Sequence, residues 1–542
     1  MNTLLKVLTA LRMLLVRVFQ WNPLMRMTED PKSAQTRVLL EILRRNRATV
    51  FGRQHGFADI TSSDEYTSQV PVHTYEQLRE LIEKQARENI PYLNAEQPGF
   101  YVLTSGTTAQ PKYIPVLSHS IAAFRRSQRL VAFAVYRSIP EAFDGKVLAI
   151  VSPAIEGKLP SGEPYGSMSG LIYSSMPRLL QTKYVVPPDV FDIPDYNSKY
   201  FEIALHALVE RNITIIATAN PTTLLKLERT IAENCSDLLA KIAQRDPARA
   251  AELTQLQLEY GALKFRDLWP ALRVVTMWTG GSCGVQIPAI KAMLPAAAHI
   301  VEVGYLSSEF RGGIVVDALL NREIPTLHEN FFEFVRRNEW EDRNPEGRNT
   351  EDEHPQFLLL DQIEVGEQYH IFVTTQNGLY RYHINDVIEV TGHFNNTPTI
   401  RFVQKGKGVT TLTGEKLYES QLLAAIARFN STAGTNILFF LMLGNATDLQ
   451  YTLYLEHEFI DASALEEFLC EENIEFAAKR HSGRLNPLRI VFLRHGTGEA
   501  YKRYHVQRGQ RENQFKLVHL QYSAECSFDF SPHVLGGVHA AD

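Results

Sequence analysis

The residues best suited to chemistry are Thr104-Ser105-Gly106-Thr107-Thr108, with Lys112 close behind. Small side chains let backbone N–H groups approach an anion, and hydroxyls add donors. A lysine adds a compact positive charge. This composition suits a phosphate cradle and is expected to grip the triphosphate of ATP; an ordinary polar turn is the structural alternative. A Walker A loop needs a second glycine, then lysine and a hydroxyl. Counting from Gly106, Pro111 stands in the glycine's place and Tyr113 in the hydroxyl's, so the chain does not read as a P-loop NTPase.

The elements that must hold this loop are legible around it. Residues 100–103 are apolar and favour a strand. Pro115 closes the stretch, and Ser118 is expected to cap a helix over 119–139 whose N-terminus faces the loop region and favours an anion there. Helices are expected over 36–49 and 75–89, with a turn-rich connection at 51–56. Farther on, strands at 146–152, 213–217, 273–278 and 300–304 alternate with helices at 201–210 and 224–235. Residues 162–173, rich in Gly, Ser and Met, read as a pocket-lining loop. Such alternation predicts an α/β fold with largely parallel sheets, whose ligands bind beyond the carboxyl ends of the strands. The polar breaks at Ser105, Asn220, Gly280 and Ser307 fall at such ends.

From residue 331 strands follow more closely, at 331–335, 368–374, 380–383, 387–391 and 399–404. They predict a mainly antiparallel, β-barrel-like part. Gln404-Lys405-Gly406-Lys407-Gly408 reads as a hinge. The expected organisation is a large domain over 1–403, a hinge over 404–409 and a smaller α+β domain over 410–542. The small domain should contain helices at 419–429 and 462–470, strands at 437–443, 450–456 and 489–493, and a loose tail at 532–542.

Bulk properties narrow the function classes. A chain of 542 residues is long enough for more than one core, and its net charge of −6 argues against a nucleic-acid partner. Cys235, Cys283, Cys470 and Cys526 form no CxxC pair, which fits a reducing cytoplasm. None of the 17 histidines falls in an HExxH motif, so no zinc site is expected. Ser105 lies outside G-x-S-x-G, so no hydrolase elbow is expected. Residues 1–27 are apolar with interspersed Lys6, Arg12, Arg17 and Arg26. They are too interrupted to span a bilayer, and read either as a helix packed on the domain or as a weak membrane-surface contact.

Four separated motifs carry a resemblance. TSGTTAQPKYIP at 104–115 resembles the phosphate loop of the adenylate-forming superfamily. GYLSSE at 304–309 resembles its Tyr-x-x-x-Glu motif, GLYRYHINDVIEVTGH at 378–393 its ribose-binding aspartate motif, and FKLVHL at 515–520 the segment around its C-terminal lysine. The spellings, with VPVHTYEQL at 70–78 and Gly414-Glu415-Lys416-Leu417-Tyr418-Glu419, are most similar to the Gretchen Hagen three (auxin-responsive) family of acyl acid amido synthetases. Two departures stand out. Asn385 precedes Asp386 where glycine is commoner, and Leu517-Val518 replaces a proline-containing sequence.

The resemblance implies a large adenylate-forming domain and a small rotating one. It implies that a carboxylic acid attacks the α-phosphorus of ATP to give acyl-AMP, and that an amine or amino acid then takes the acyl group. It places Ser105, Gly106, Thr107, Thr108 and Lys112 with the phosphates, Ser307 and Ser308 among the ATP/AMP-binding residues, Tyr305 on adenine, Asp386 on the ribose hydroxyls and Glu309 on Mg2+. Lys416 would approach the nucleotide, and Lys516 would neutralise the α-phosphate. Phe124, Arg125, Met168, Leu171, Thr222 and Trp278 are the acyl-pocket candidates, most of which read equally as core. The alternatives are a ligase that delivers the acyl group to a thiol and a nucleotide-binding protein without turnover.

Overall fold

This computed structural model describes residues 3–104, 112–343, 355–406, 408–413, 415, 417–481, 485–508, 515–535 and 539–540. The chain divides into two compact units. One comprises Met1–Trp278, Ile290–Ile384 and Ile388–Arg401; the other comprises Thr279–Ala289, Asn385–Val387 and Phe402–Asp542.

The first unit begins with helices α1 (Thr3–Val16) and α2 (Pro31–Asn46). Asp30 caps α2 by accepting the Ser33 N–H at 3.1 Å, and Pro31 occupies the first helical position, where no N–H is needed. The expected turn at 51–56 is instead a short helix, Val50–Gln54, because Thr49 caps it through the Gly52 N–H at 2.9 Å. Helix α3 (Tyr75–Glu88) ends at Asn89, which takes the left-handed conformation that asparagine tolerates. Strands β1 (Phe100–Thr104) and β2 (Lys112–Val116) pair antiparallel, with Thr104 opposite Lys112. Pro115 does not end the stretch; it sits within β2 opposite Tyr101.

Helix α4 (Ser118–Ser138) forms where expected but is capped differently. Ser118 is its first residue rather than its cap, and the Ser118 N–H donates to Glu96 Oε1 at 2.8 Å. A carboxylate from elsewhere in the chain therefore already meets the positive end of this helix, the place expected to attract a bound anion.

Strands β3 (Lys146–Ala149), β4 (Gly157–Lys158) and β5 (Pro164–Gly166) follow, then helix α5 (Met168–Ser174). The stretch read as a loop over 162–173 is thus largely β5 and α5. Ser167 caps α5 by accepting the Gly170 N–H at 3.0 Å, a local bond that bulk composition does not reveal. One sheet has the order β2-β1-β5-β4.

Helix α6 (Tyr196–Val209), β6 (Ile213–Ala217), α7 (Thr222–Glu233), β7 (Val274–Met277) and β8 (His299–Glu302) complete the α/β part. A four-stranded sheet, β3-β6-β7-β8, is parallel throughout. Its strands are short apolar runs, as expected for strands covered on both faces. Val135 of α4 and Ile139 just after it pack with Val274 and Val301 of the sheet in one apolar cluster.

Beyond it, β9 (Gly313–Asp317) and β10 (Arg322–Pro325) form a hairpin. The expected barrel-like part is a five-stranded sheet of order β12-β11-β13-β14-β15. Its members are β11 (Phe331–Arg336), β12 (Leu358–Leu359), β13 (Gln368–Thr374), β14 (Tyr382–Phe394) and β15 (Thr397–Lys405). The two strands read at 380–383 and 387–391 are a single long strand, β14.

The second unit holds the small pair β16 (Val409–Thr410) and β17 (Leu417–Tyr418), and helix α8 (Glu419–Ala433). Its main sheet runs β21-β18-β19-β20-β22. These strands are β18 (Phe440–Asn445), β19 (Gln450–Glu456), β20 (Arg489–Leu493), β21 (Leu520–Tyr522) and β22 (His539–Ala540). The tail is not loose in its described parts. The Leu535 N–H donates to the Phe492 carbonyl at 2.9 Å, and β22 pairs with the β20 edge. Among the described residues, no helix is long and apolar enough to cross a membrane.

One interaction in the first unit is costly enough to test. The Arg381 guanidinium and Glu333 carboxylate are both buried, 2.7 Å apart at Nη2 and Oε1. Arg381 Nη1 also donates to the Thr67 and Val70 carbonyls, each at 2.7 Å. Removing one partner of such a pair strands a charge and costs about 3–5 kcal/mol. Glu333→Leu and Arg381→Met should each lower the unfolding free energy from urea titration by that order, and the double variant by less than their sum. It should not recover fully, since two carbonyls lose their donor. Strict additivity would show that the two charges are not coupled.

Candidate functional site

The carboxyl edge of the parallel sheet gathers most of the expected residues of the first unit. After β3, Ser167 Oγ donates to the Pro153 carbonyl at 2.8 Å and so fixes the start of α5, the helix carrying Met168 and Leu171. After β6, Asn220 Oδ1 accepts from Thr222 N at 3.0 Å and Thr222 Oγ1 at 2.9 Å. The Thr222 hydroxyl is therefore engaged in starting α7. After β7, the Trp278 N–H donates to the Ala219 carbonyl at 2.8 Å, which joins the ends of β6 and β7. Phe124 and Arg125 lie on α4, and Arg125 reaches Ser175 Oγ, just after α5, at 2.6 Å. These bonds tie the acyl-pocket candidates into two groups, one on α4 and α5 and one on the ends of β6 and β7.

After β8 comes the turn carrying Tyr305, Ser307, Ser308 and Glu309. Gly304 has φ +92°, and an added Cβ would lie 2.8 Å from the Gly313 carbonyl oxygen, so only glycine fits without strain. Glu323 of β10 accepts the Tyr305 N–H. Gly312 and Gly313 donate to the Tyr305 carbonyl at 2.8 and 2.9 Å, and a Cβ at Gly312 would strike the Tyr305 ring. Tyr305 is thus buried against Gly312 and edge-on to Phe310. Ser307 closes the turn, its hydroxyl bonding with both backbone groups of Phe310. Beneath it, the buried Arg311 donates to the Val303 and Gly313 carbonyls and lies 5.7 Å from the Phe124 ring centre.

Glu309 sits at the tip of this turn yet is buried. Its Oε1 accepts the Tyr382 hydroxyl at 3.4 Å, and its carbonyl accepts from Asn377 Nδ2. Among the described residues it has no ion-pair partner, and no group of three His, Cys, Asp or Glu gathers for a metal ion. A single hard carboxylate of this kind fits Mg2+, which keeps waters and takes substrate phosphates rather than an all-protein cage. Lys112, at the start of β2, has its ammonium 5.4 Å over the Tyr75 ring. Ser105, Gly106, Thr107 and Thr108 lie outside the described residues, as does Lys416.

The second unit assembles its own set. Asp386 is buried and pairs with Lys405, Nζ to Oδ1 at 2.6 Å. Asn385 before it has φ +61°, so the residue standing where glycine was expected adopts the conformation for which glycine is usually chosen. Lys516 lies 5.0 Å over the Phe402 ring. Its neighbours anchor it: Phe515 is buried, Leu517 packs on the same apolar cluster, and the His519 N–H donates to Glu419 Oε1 at 2.6 Å. Burial raises the Glu419 carboxyl to about 7, the His519 N–H opposing it.

Comparison with known proteins identifies the family of the chain. Models of the GH3 family N-terminal, central and C-terminal domains match residues 21–298, 324–405 and 420–525. The chain belongs to the GH3 family. The probable indole-3-acetic acid-amido synthetase GH3.2 of Oryza sativa subsp. japonica is 26% identical, covering 93% of this chain and 92% of its own. The indole-3-acetic acid-amido synthetase GH3.15 of Arabidopsis thaliana is 24% identical, covering 90% of each. Among solved structures, the GH3.15 acyl acid amido synthetase matches with a TM-score of 0.81 at 20% identity, over 95% of this chain and 96% of that one. A 2-hydroxyisobutyryl-CoA ligase shares the fold at a TM-score of 0.53 and 12% identity, over 91% and 90% of the two chains.

Several partners of the expected residues are not legible in the sequence. Lys405 was seen as part of a hinge, not as the partner of Asp386. Tyr382 alternates along β14 like any core tyrosine, and nothing local announces its hydroxyl as the contact of Glu309. Glu323 and Arg311 are charged residues in ordinary-looking strand ends, and their burial is a tertiary fact.

Glu323 yields a test. Burial, reinforced by Glu302, raises its carboxyl from 4.5 to about 8, against the lowering pull of the Tyr305 N–H and Arg311. The folded chain then holds a proton that the unfolded chain has already released, so this contribution to stability is lost as pH rises through about 8. Glu323→Gln keeps an acceptor for Tyr305 but cannot ionise. Between pH 5 and pH 8 its melting temperature should fall less than that of the parent; equal slopes over that range would assign the effect elsewhere.

Proposed function

We propose that this GH3 chain is an ATP-dependent acyl acid amido synthetase that adenylates a small carboxylic acid and passes the acyl group to an amine or amino acid. Family membership over all three domains supports the reading, and the observation that carries it to the site is the turn after β8 that presents Glu309 next to Tyr382.

In the first step a carboxylate oxygen bonds to the α-phosphorus of ATP while the bond to pyrophosphate breaks. The nucleophile is already ionised, so positioning and charge neutralisation matter more than a base. The Ser105-Gly106-Thr107-Thr108 loop grips the phosphates, with Lys112, Ser307 and Ser308 beside it. Tyr305 lies toward the adenine, and Asp386, oriented by Lys405, accepts from the ribose hydroxyls. Glu309 would hold Mg2+, which would supply charge neutralisation on the phosphate oxygens. Lys516 and Lys416 bring positive charge, Lys516 to the α-phosphate. Phe124, Met168, Leu171 and Trp278 give the acid an apolar surround, and Arg125 and Thr222 flank it. In the second step the amine nitrogen attacks the acyl carbon, the bond to AMP breaks and the amine proton leaves to solvent.

The small domain, taken as residues 410–542 with a hinge at 404–409, turns between these steps and carries Lys516 with it. We place the reactions in the cytoplasm, in keeping with four cysteines that form no CxxC pair.

ATP–pyrophosphate exchange scanned over a panel of carboxylic acids, indole-3-acetic acid among them, reads the first step alone. Exchange should appear with at least one acid. Lys516→Ala should lower it on the order of a hundredfold, the loss expected for a group that meets charge developing at the reacting centre. Amide formation from preformed acyl-AMP should fall far less. Amine, amino-acid and thiol acceptor panels then read the second step. No exchange with any acid overturns the proposal, and transfer only to thiols replaces it with a thiol ligase.

A further inference from the structure

Helix α1 turns its apolar side away from the protein. Met13 and Val16 are buried, as is Trp21 just beyond the helix. On the opposite side Val7 is 59% exposed, Leu11 53%, Leu14 51%, Leu15 50% and Val18 47%, and Phe19 in the following turn is 71% exposed. Val7, Leu11, Leu14 and Leu15 share one face of α1, and Val18 and Phe19 continue the exposed apolar surface in the π-helical turn Arg17–Trp21 that follows. A surface helix ordinarily shows water its charges and hides such a stripe.

The rim of the stripe is basic. Residues 1–28 contain Lys6, Arg12, Arg17 and Arg26 and no Asp or Glu, in a chain whose net charge is −6. Helix α4 packs on α1 and extends the positive field. Arg129 donates to Gln20 Oε1 at 3.2 Å, and its own ionisation is opposed by burial and then by Arg12, Arg126 and Arg125. Arg12, Arg17 and Arg126 are exposed. The acidic group facing this edge is Asp144, which pairs with Lys6 at 2.9 Å.

We propose that α1 is a docking surface for an anionic lipid membrane. The helix lies in the interfacial plane with Leu11, Leu15, Val18 and Phe19 in the acyl boundary, and Arg12, Arg17 and Arg126 meet lipid phosphates. An apolar stripe with basic flanks is the pattern such surfaces bind. A second copy of the chain fits less well, because a two-fold contact through this face would set Arg12 and Arg17 against their own counterparts.

The test uses the full chain in vesicle flotation, with phosphatidylcholine alone or with about a third phosphatidylglycerol, an anionic content that gives basic residues a surface potential to read. Binding to anionic vesicles should exceed binding to neutral ones by about tenfold or more at low salt and weaken as salt screens it. Leu11→Glu with Val18→Glu should abolish binding, while Arg12→Gln with Arg17→Gln should remove the preference for anionic lipid. Both pairs sit on outward positions, so their melting temperatures and exchange activity should match the parent, which separates this outcome from any failure of the proposed reaction. Absence of flotation, or flotation indifferent to Leu11→Glu with Val18→Glu, overturns the proposal. A concentration-dependent dimer abolished by that pair, without vesicle binding, overturns it in favour of a second copy.

Discussion

The buried pair of Arg381 and Glu333 constrains much of the first unit. Two charges withdrawn from water must meet in good geometry, and here the guanidinium satisfies Glu333, Thr67 and Val70 together. That fixes residues 378–383 against β11 and against the segment before α3. The Tyr380 ring stacks on Phe51 at 4.8 Å, and its hydroxyl donates to the Leu93 carbonyl. His73 and His383 add backbone bonds on either side of Arg381. Only when this is in place does the next residue, Tyr382, stand where its hydroxyl meets Glu309. Residues 378–382, GLYRY, are therefore a structural joint as much as a signature, and their arginine holds the tyrosine in register.

This explains what the sequence could and could not reveal. The strands of the parallel sheet were legible because they are short apolar runs bounded by polar breaks, and the breaks at Asn220, Gly280 and Ser307 mark their carboxyl ends. Tyr305 and Glu309 were legible through a spelled motif. Glu323, Tyr382 and Lys405 were not, since each acts through a partner between 18 and 73 residues away in the chain. Local bonds misled in the opposite direction. Ser118 had the chemistry of a cap, but a carboxylate 22 residues earlier performs that task. Residues 162–173 had the composition of a loop, but one Ser167 hydroxyl is enough to start a helix.

The two departures from the family spelling bear differently on the site. Asn385 changes the residue and keeps the backbone: a left-handed φ of +61° is strained for most side chains, and asparagine carries it with the least penalty after glycine. Asp386 consequently stays aligned with Lys405. The segment after Lys516 loses the rigidity that proline would confer and must be fixed by contacts instead. Phe515 and Leu517 pack beside Leu441, Val491 and Tyr501, and His519 is held by Glu419 and by the Phe440 carbonyl at 2.7 Å.

Every one of those anchors belongs to the second unit, and so do the residues of the expected hinge. Gln404 Oε1 accepts the Ser420 N–H at 3.2 Å, and the Glu419 N–H donates to the Gly408 carbonyl at 2.7 Å. Gln404 and Gly408 are therefore bonded to the start of α8, the same helix whose Glu419 holds the Lys516 segment. A turn of the small domain would carry Lys516, Glu419 and Gly408 as one body and leave the lysine's frame unchanged. The boundary between the two compact units falls just before this expected hinge, between Arg401 and Phe402. Glu419, bonded to Gly408 through its N–H and to His519 through its carboxylate, thereby ties the position of the Lys516 segment to the backbone of the linker.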